Sequence, residues 1–192
     1  LGYDPDWAKW TLCENIYAQF ALFATSPCVF VNVFDPSKHK TSVSTESVTL
    51  EKGECKAANK DVILGTLQVK DLTGSTTYQA GTDYTVAYDE DYYAVIARLS
   101  TGTIASDTAQ LTLTYDYADP SQVDKDDIIG GINAQTGDEE GLEVIERVYP
   151  VNRKVPGLIV ATGWSEDVEV AAVMAAKAGN INSLFQAVAI LD

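Results

Sequence analysis

Basic residues are scarce in this chain: 13 Lys and Arg stand against 28 Asp and Glu, for a formal net charge of −15. The deficit is not confined to a tail. Residues 1–40 carry 4 acids and 3 bases, residues 41–122 carry 12 and 5, and residues 123–192 carry 12 and 5. Nucleic acids and anionic membranes are bound through clustered Lys and Arg, so this surface argues against both as partners. Cysteine is scarce too. Cys13, Cys28 and Cys55 are odd in number, lack metal-ligand spacing, and read as small core residues in a reducing compartment. No apolar run reaches the ~18 residues of a membrane span, and no signal peptide is visible. Leu1 is not an initiator and Asp192 ends an apolar run, so the expectation is a piece of a longer protein.

Catalytic motifs are thin as well. Gly163-Trp164-Ser165-Glu166-Asp167 lies between a predicted strand and helix, the setting of a hydrolase nucleophile elbow. Asp167 replaces the second glycine, and no histidine follows the serine; the only one, His39, lies far upstream. Ser165 therefore reads as a helix N-cap. His39 beside Asp35 is too small a ligand set for a metal and reads as a surface-turn histidine. Gly130, Gly131 and Gly137 lack both dinucleotide and P-loop spacing, and Asp138, Glu139 and Glu140 would repel phosphate. These glycines read as turn and close-packing positions. Asp89-Glu90-Asp91 and Asp124 to Asp127 lack the EF-hand pattern and read as a solvated hairpin tip and linker. Tyr78, Tyr84, Tyr92 and Tyr93 could form an aromatic binding face, although strand tyrosines usually serve packing and cross-strand pairing. No catalytic, cofactor-binding or metal-binding residue is assigned.

What is present is a globular composition, 46% hydrophobic and 21% charged, with two distinct periodicities. Asp4 and Pro5 predict the start of a helix carrying Trp7, Trp10, Cys13, Tyr17, Phe20 and Phe23, which Pro27 stops. Cys28 to Phe34 is almost continuously apolar and predicts a strand covered on both faces. From about Lys40 to Gln122 the period becomes two: Leu111, Leu113, Tyr115 and Tyr117 alternate with Thr112, Thr114 and Asp116, and turn-rich pieces separate similar runs. Then the helical period returns. Thr136 and Glu139 have capping-box spacing ahead of Leu142, Val144, Ile145 and Val148, with Pro150 just beyond. Gly157 to Thr162 predicts a strand, Val168 to about Ala178 a helix, and Leu184 to Leu191 a final strand. The expected fold is α/β: a discontinuous domain with a parallel sheet (1–39 and 123–192), interrupted by an inserted small all-β sandwich or barrel (40–122).

Three stretches carry a resemblance. They are Tyr17 to Phe20 leading to Val31-Asn32-Val33-Phe34-Asp35-Pro36-Ser37-Lys38-His39; Tyr115-Asp116-Tyr117-Ala118-Asp119-Pro120 followed by Asp127-Ile128-Ile129-Gly130-Gly131-Ile132; and Pro156 to Ser165 ahead of an Ala-rich helix and Ala187 to Asp192. In this order and spacing the chain resembles the contractile tail sheath proteins of phages. The resemblance implies a structural subunit of the virion tail, not an enzyme, encoded by a phage or prophage and assembled in the host cytoplasm. Its partners would be copies of itself, the tail tube protein and baseplate proteins, with no cofactor, nucleic acid or membrane. It further implies that copies polymerise around the tube and contract to drive it through the host envelope. Terminal arms would tie neighbours by strand addition, so these 192 residues alone are expected not to form tubes. A glycan- or host-binding adhesion module is the competing reading, and an α/β-hydrolase a third.

Overall fold

The computed structural model describes residues 4–191, so the expectations attached to Leu1 and Asp192 lie outside it. The chain divides into two compact units, an α/β unit of residues 4–34 with 123–191 and a β unit from Asp35 to Gln122.

In the α/β unit, α1 (Thr11–Tyr17) continues through a wider π-type turn, Ala18–Leu22. The expected start at Asp4 is overturned. Asp4 accepts the Asp6 N–H at 2.8 Å and Asp6 accepts the Lys9 N–H at 3.2 Å, side-chain turns that compete with helix until Thr11. The expected strand over Cys28–Phe34 does not form either. Asn32 accepts the Phe34 N–H at 3.1 Å, and the run packs through its aromatics, Phe30 against Phe20 at 5.7 Å and Phe34 against Trp10 at 5.1 Å.

The β unit is a sandwich built from β1 (Lys40–Thr49), β2 (Glu54–Lys60), β3 (Gln68–Asp71), β4 (Thr77–Tyr78), β5 (Tyr84–Tyr88), β6 (Tyr93–Arg98) and β7 (Gln110–Ala118). One antiparallel sheet has the order β1-β7-β3-β4, the other β2-β6-β5. The period of two works as expected in β7: Leu111, Leu113 and Tyr115 point inward and meet Ala94 and Ile96 of the facing sheet. A bulge between Val43 and Glu46 turns Glu46 toward β2. There its carboxylate accepts the Ala58 N–H at 2.9 Å and the Tyr115 hydroxyl, tying the two sheets together at this end. The first and last strands are neighbours, with Lys40 opposite Ala118, and the Asp119 N–H donates to the His39 carbonyl at 3.0 Å.

After the β unit, α2 (Lys125–Ile129) opens on a capping box: Asp124 accepts the Asp126 and Asp127 N–H groups, and Asp127 accepts the Asp124 N–H. β8 (Gly131–Ile132) and β9 (Glu139–Glu140) form a hairpin whose turn is held by Asn133. Thr136 therefore sits in that turn and Glu139 in a strand; they do not cap a helix. Instead a 3₁₀ turn, Gly141–Val144, leads into α3 (Ile145–Asn152).

Pro150 lies inside α3, not beyond it. A proline there leaves the Glu146 carbonyl without its helical donor, and the Asn182 side chain supplies one at 2.7 Å. β10 (Leu158–Val160) and β11 (Val188–Ile190) pair in parallel across α4 (Val168–Gly179), with Leu158 opposite Val188 and Val160 opposite Ile190. The chain is thus a mixed α/β protein whose sheets are mostly antiparallel. Among the described residues the parallel sheet is two strands wide, β10 with β11.

Candidate functional site

Ser165, in the nearest approach to a catalytic motif, is buried, with its N–H donating to the Ala161 carbonyl at 3.1 Å. The cap of α4 is Asp167, which accepts the Glu169 N–H at 2.8 Å and stands near the Lys125 ammonium at 3.9 Å. The shorter side chain lost the capping role because the turn carries it inward, while the carboxylate two residues on meets the positive end of the helix.

His39 is also buried, where a surface position was expected. Its Nδ1 accepts the Asp35 N–H at 2.9 Å, and its own N–H donates back to the Asp35 carbonyl at 2.7 Å, closing a turn ahead of β1. The Asp35 carboxylate accepts the Ser37 N–H and is held below its usual range, chiefly by hydrogen bonds from Ser37.

Asp89 closes the β5–β6 hairpin by accepting the Asp91 and Tyr93 N–H groups, and its contact with Lys56 at 2.5 Å holds its carboxyl low. Among the described residues no group of three or more His, Cys, Asp or Glu is placed to hold a metal ion, and no helix is long and apolar enough to cross a membrane.

The four tyrosines do not share one face. Tyr84 is core, and with Tyr78 it lines a groove of about 350 Å³ beside β4. Tyr92 is exposed at the hairpin tip and Tyr93 lies under the Lys60 ammonium at 5.3 Å, at the far end of β5 and β6 from Tyr84.

The feature the sequence did not announce is a bare sheet face. In β10 and β11, Ile159 and Ala189 pack onto the cluster of Val170, Met174 and Ala178 from α4. The opposite face presents Leu158, Val160, Val188 and Ile190, each about half exposed or more (54%, 50%, 63% and 49%). Parallel sheets are ordinarily covered on both sides. An apolar sheet face of this size is ordinarily covered by further structure. The sequence does show both faces to be apolar, but nothing in it says which one stays open.

Comparison with known proteins gives one clear similarity. The tail sheath protein of Burkholderia phage BcepMu is 29% identical over 182 residues, which is 95% of this chain and 37% of that protein. No family model matches, and no solved structure matches. The chain therefore spans little more than a third of the curated relative's length, and over nearly all of its own length it bears out the resemblance to phage tail sheath proteins read from the sequence.

Proposed function

We propose that this chain is part of a structural subunit of a contractile phage tail sheath, whose copies pack around the tail tube and rearrange to drive it through the host envelope. The observation that carries this reading is the similarity to a tail sheath protein along 95% of the chain. The bare face of β10 and β11 supports it, because a subunit that works by packing needs apolar surface reserved for a neighbour. The pairing of β1 with β7 supports the view that the β unit is an insertion: its entry and exit lie side by side, so an α/β domain can carry it without rearrangement. A sheath is a heterologous contact repeated without closure, and contraction is a change between two packings of the same subunit. No reactive group or cofactor takes part in such work. The other partners under this reading are the tube and baseplate proteins, and the place of action is the virion tail.

Immunogold labelling of phage particles with an antibody against this chain tests the proposal. Label along the whole tail shaft is expected. Label confined to fibres or the tail tip would favour an adhesion module instead.

A further inference from the structure

The end of α3 carries the sequence's one pair of adjacent cations, Arg153 and Lys154, set between Val151 and Val155. Arg153 ends the helix in a left-handed conformation (φ 56), with its N–H donating to the Tyr149 carbonyl at 2.9 Å. Its guanidinium stands 6.0 Å from the Tyr149 ring, which in turn packs on Phe185 at 4.9 Å. The turn is therefore anchored, and it points its side chains outward. Val151 is 67% exposed and Val155 48% exposed.

Five other cations, Lys40, Lys56, Arg98, Lys125 and Lys177, each have a carboxylate within 3 Å, while among the described residues Lys52, Lys60 and Lys70 lack one but stand singly along the chain. Among the described residues Arg153 and Lys154 have none, in a chain with 28 acids. Two adjacent unneutralised cations flanked by exposed valines match an interface rim around an apolar contact.

We propose that this turn docks onto the acidic surface of a second copy of the chain, an inference that rests on the sheath reading above. Charge complementarity selects that occupant. A polyanion such as nucleic acid would have to approach a molecule of net charge −15 to reach two cations. A second copy instead offers individual carboxylates. At physiological salt the repulsion between copies is screened beyond about 8 Å, while pairs in contact keep their attraction. The contact is head-to-tail, as a helical lattice requires. Taken singly it is weak, and it gains strength only where several contacts act together.

Sedimentation velocity of the chain at rising concentration, paired with carbodiimide cross-linking of mixed isotope-labelled and unlabelled copies, tests this. The wild type is expected to associate reversibly below about 1 mM, with Lys154 in amide links that join labelled to unlabelled copies. R153E/K154E is expected to weaken association by about tenfold or more, while the tryptophan-fluorescence unfolding midpoint moves only by the small loss of the Arg153–Tyr149 contact. V151S/V155S is expected to weaken it with the charges intact. The inference is overturned by a wild type that stays monomeric, by a charge-reversed variant that associates as the wild type does, or by Lys154 links found only within one chain or to another polypeptide. Each of those results leaves the antibody label along the tail shaft as a separate question.

Discussion

Replacing Gly130 by alanine strikes the point where two backbone segments of the α/β unit cross. Gly130 closes α2 at φ 66 and ψ −146, a region essentially reserved for glycine that costs an L-residue about 1–3 kcal/mol. A Cβ there would stand 1.9 Å from the Glu140 carbonyl oxygen and 2.6 Å from the Gly141 Cα. Both are backbone atoms, so no side chain can swing aside. Gly141 is hemmed in as well, since a Cβ built on it would meet the Gly130 nitrogen and the Ile128 carbonyl oxygen, each at 2.6 Å. Relief requires β9 to move away from β8, breaking the pairs Gly131–Glu140 and Ile132–Glu139 and tilting the turn that feeds α3.

The expected loss exceeds about 4 kcal/mol, the range reserved for exceptional substitutions, against a total domain stability of about 5–15 kcal/mol. Gly137→Ala is the control. Its φ is 77 but nothing lies within 4 Å of the added Cβ, so it should cost only the conformational part, about 1–2 kcal/mol. All three tryptophans, Trp7, Trp10 and Trp164, lie in the α/β unit, so tryptophan fluorescence in urea reads that unit alone. Equal midpoints for the two variants would refute the reasoning.

Three further outcomes follow from particular groups. Burial pushes the Cys55 thiol up to about 11, so at mildly alkaline pH it should resist a thiol reagent that reaches the half-buried Cys13 and Cys28; three equally fast thiols in the native state would contradict this. In the β unit Asp71, Asp83, Asp116 and Asp119 are all held below the usual carboxylate range by hydrogen bonds they accept. Their contribution is full above the unfolded value near 3.9 and is lost as pH falls through the lowered native values, so stability by circular dichroism should hold to about pH 4 and then drop. Asp83→Asn should lower stability at neutral pH and shallow that acid limb; an unchanged profile would count against it. Ile159→Ala, on the packed face of β10, should cost about 2–4 kcal/mol, whereas Val160→Thr on the bare face should stay within about 0.5 kcal/mol by the same fluorescence assay. Similar losses at both positions would mean that the bare face is not bare.

Local periodicity told most where one face is buried and the other is wet. The alternation from Leu111 to Tyr117 could be read directly, because threonines mark the outer face of β7. The apolar run from Cys28 to Phe34 misled for the opposite reason: without a polar alternate, its pattern says it is buried but not by what. Aromatic packing on α1 took the place of a sheet ladder.

Pro150 marked a helix end by local rules, yet a donor from Asn182, distant in sequence, lets the helix run past it. Thr136 and Glu139 had the spacing of a cap, and the side-chain bonds of Asn133 pre-empted it with a hairpin. The carboxylates at Asp124 to Asp127 hid a capping box inside what looked like a solvated linker. As for the candidate surface, the apolar character of β10 and β11 was visible, but which face stays open depends on where α4 lies, and that is a tertiary fact.

Electron microscopy of the complete gene product that carries this sequence, purified without other tail components, tests the central claim most directly. Packing of identical subunits predicts long hollow cylinders of regular width. A preparation that stays monodisperse at high concentration, with no cylinders under any assembly condition, would contradict it.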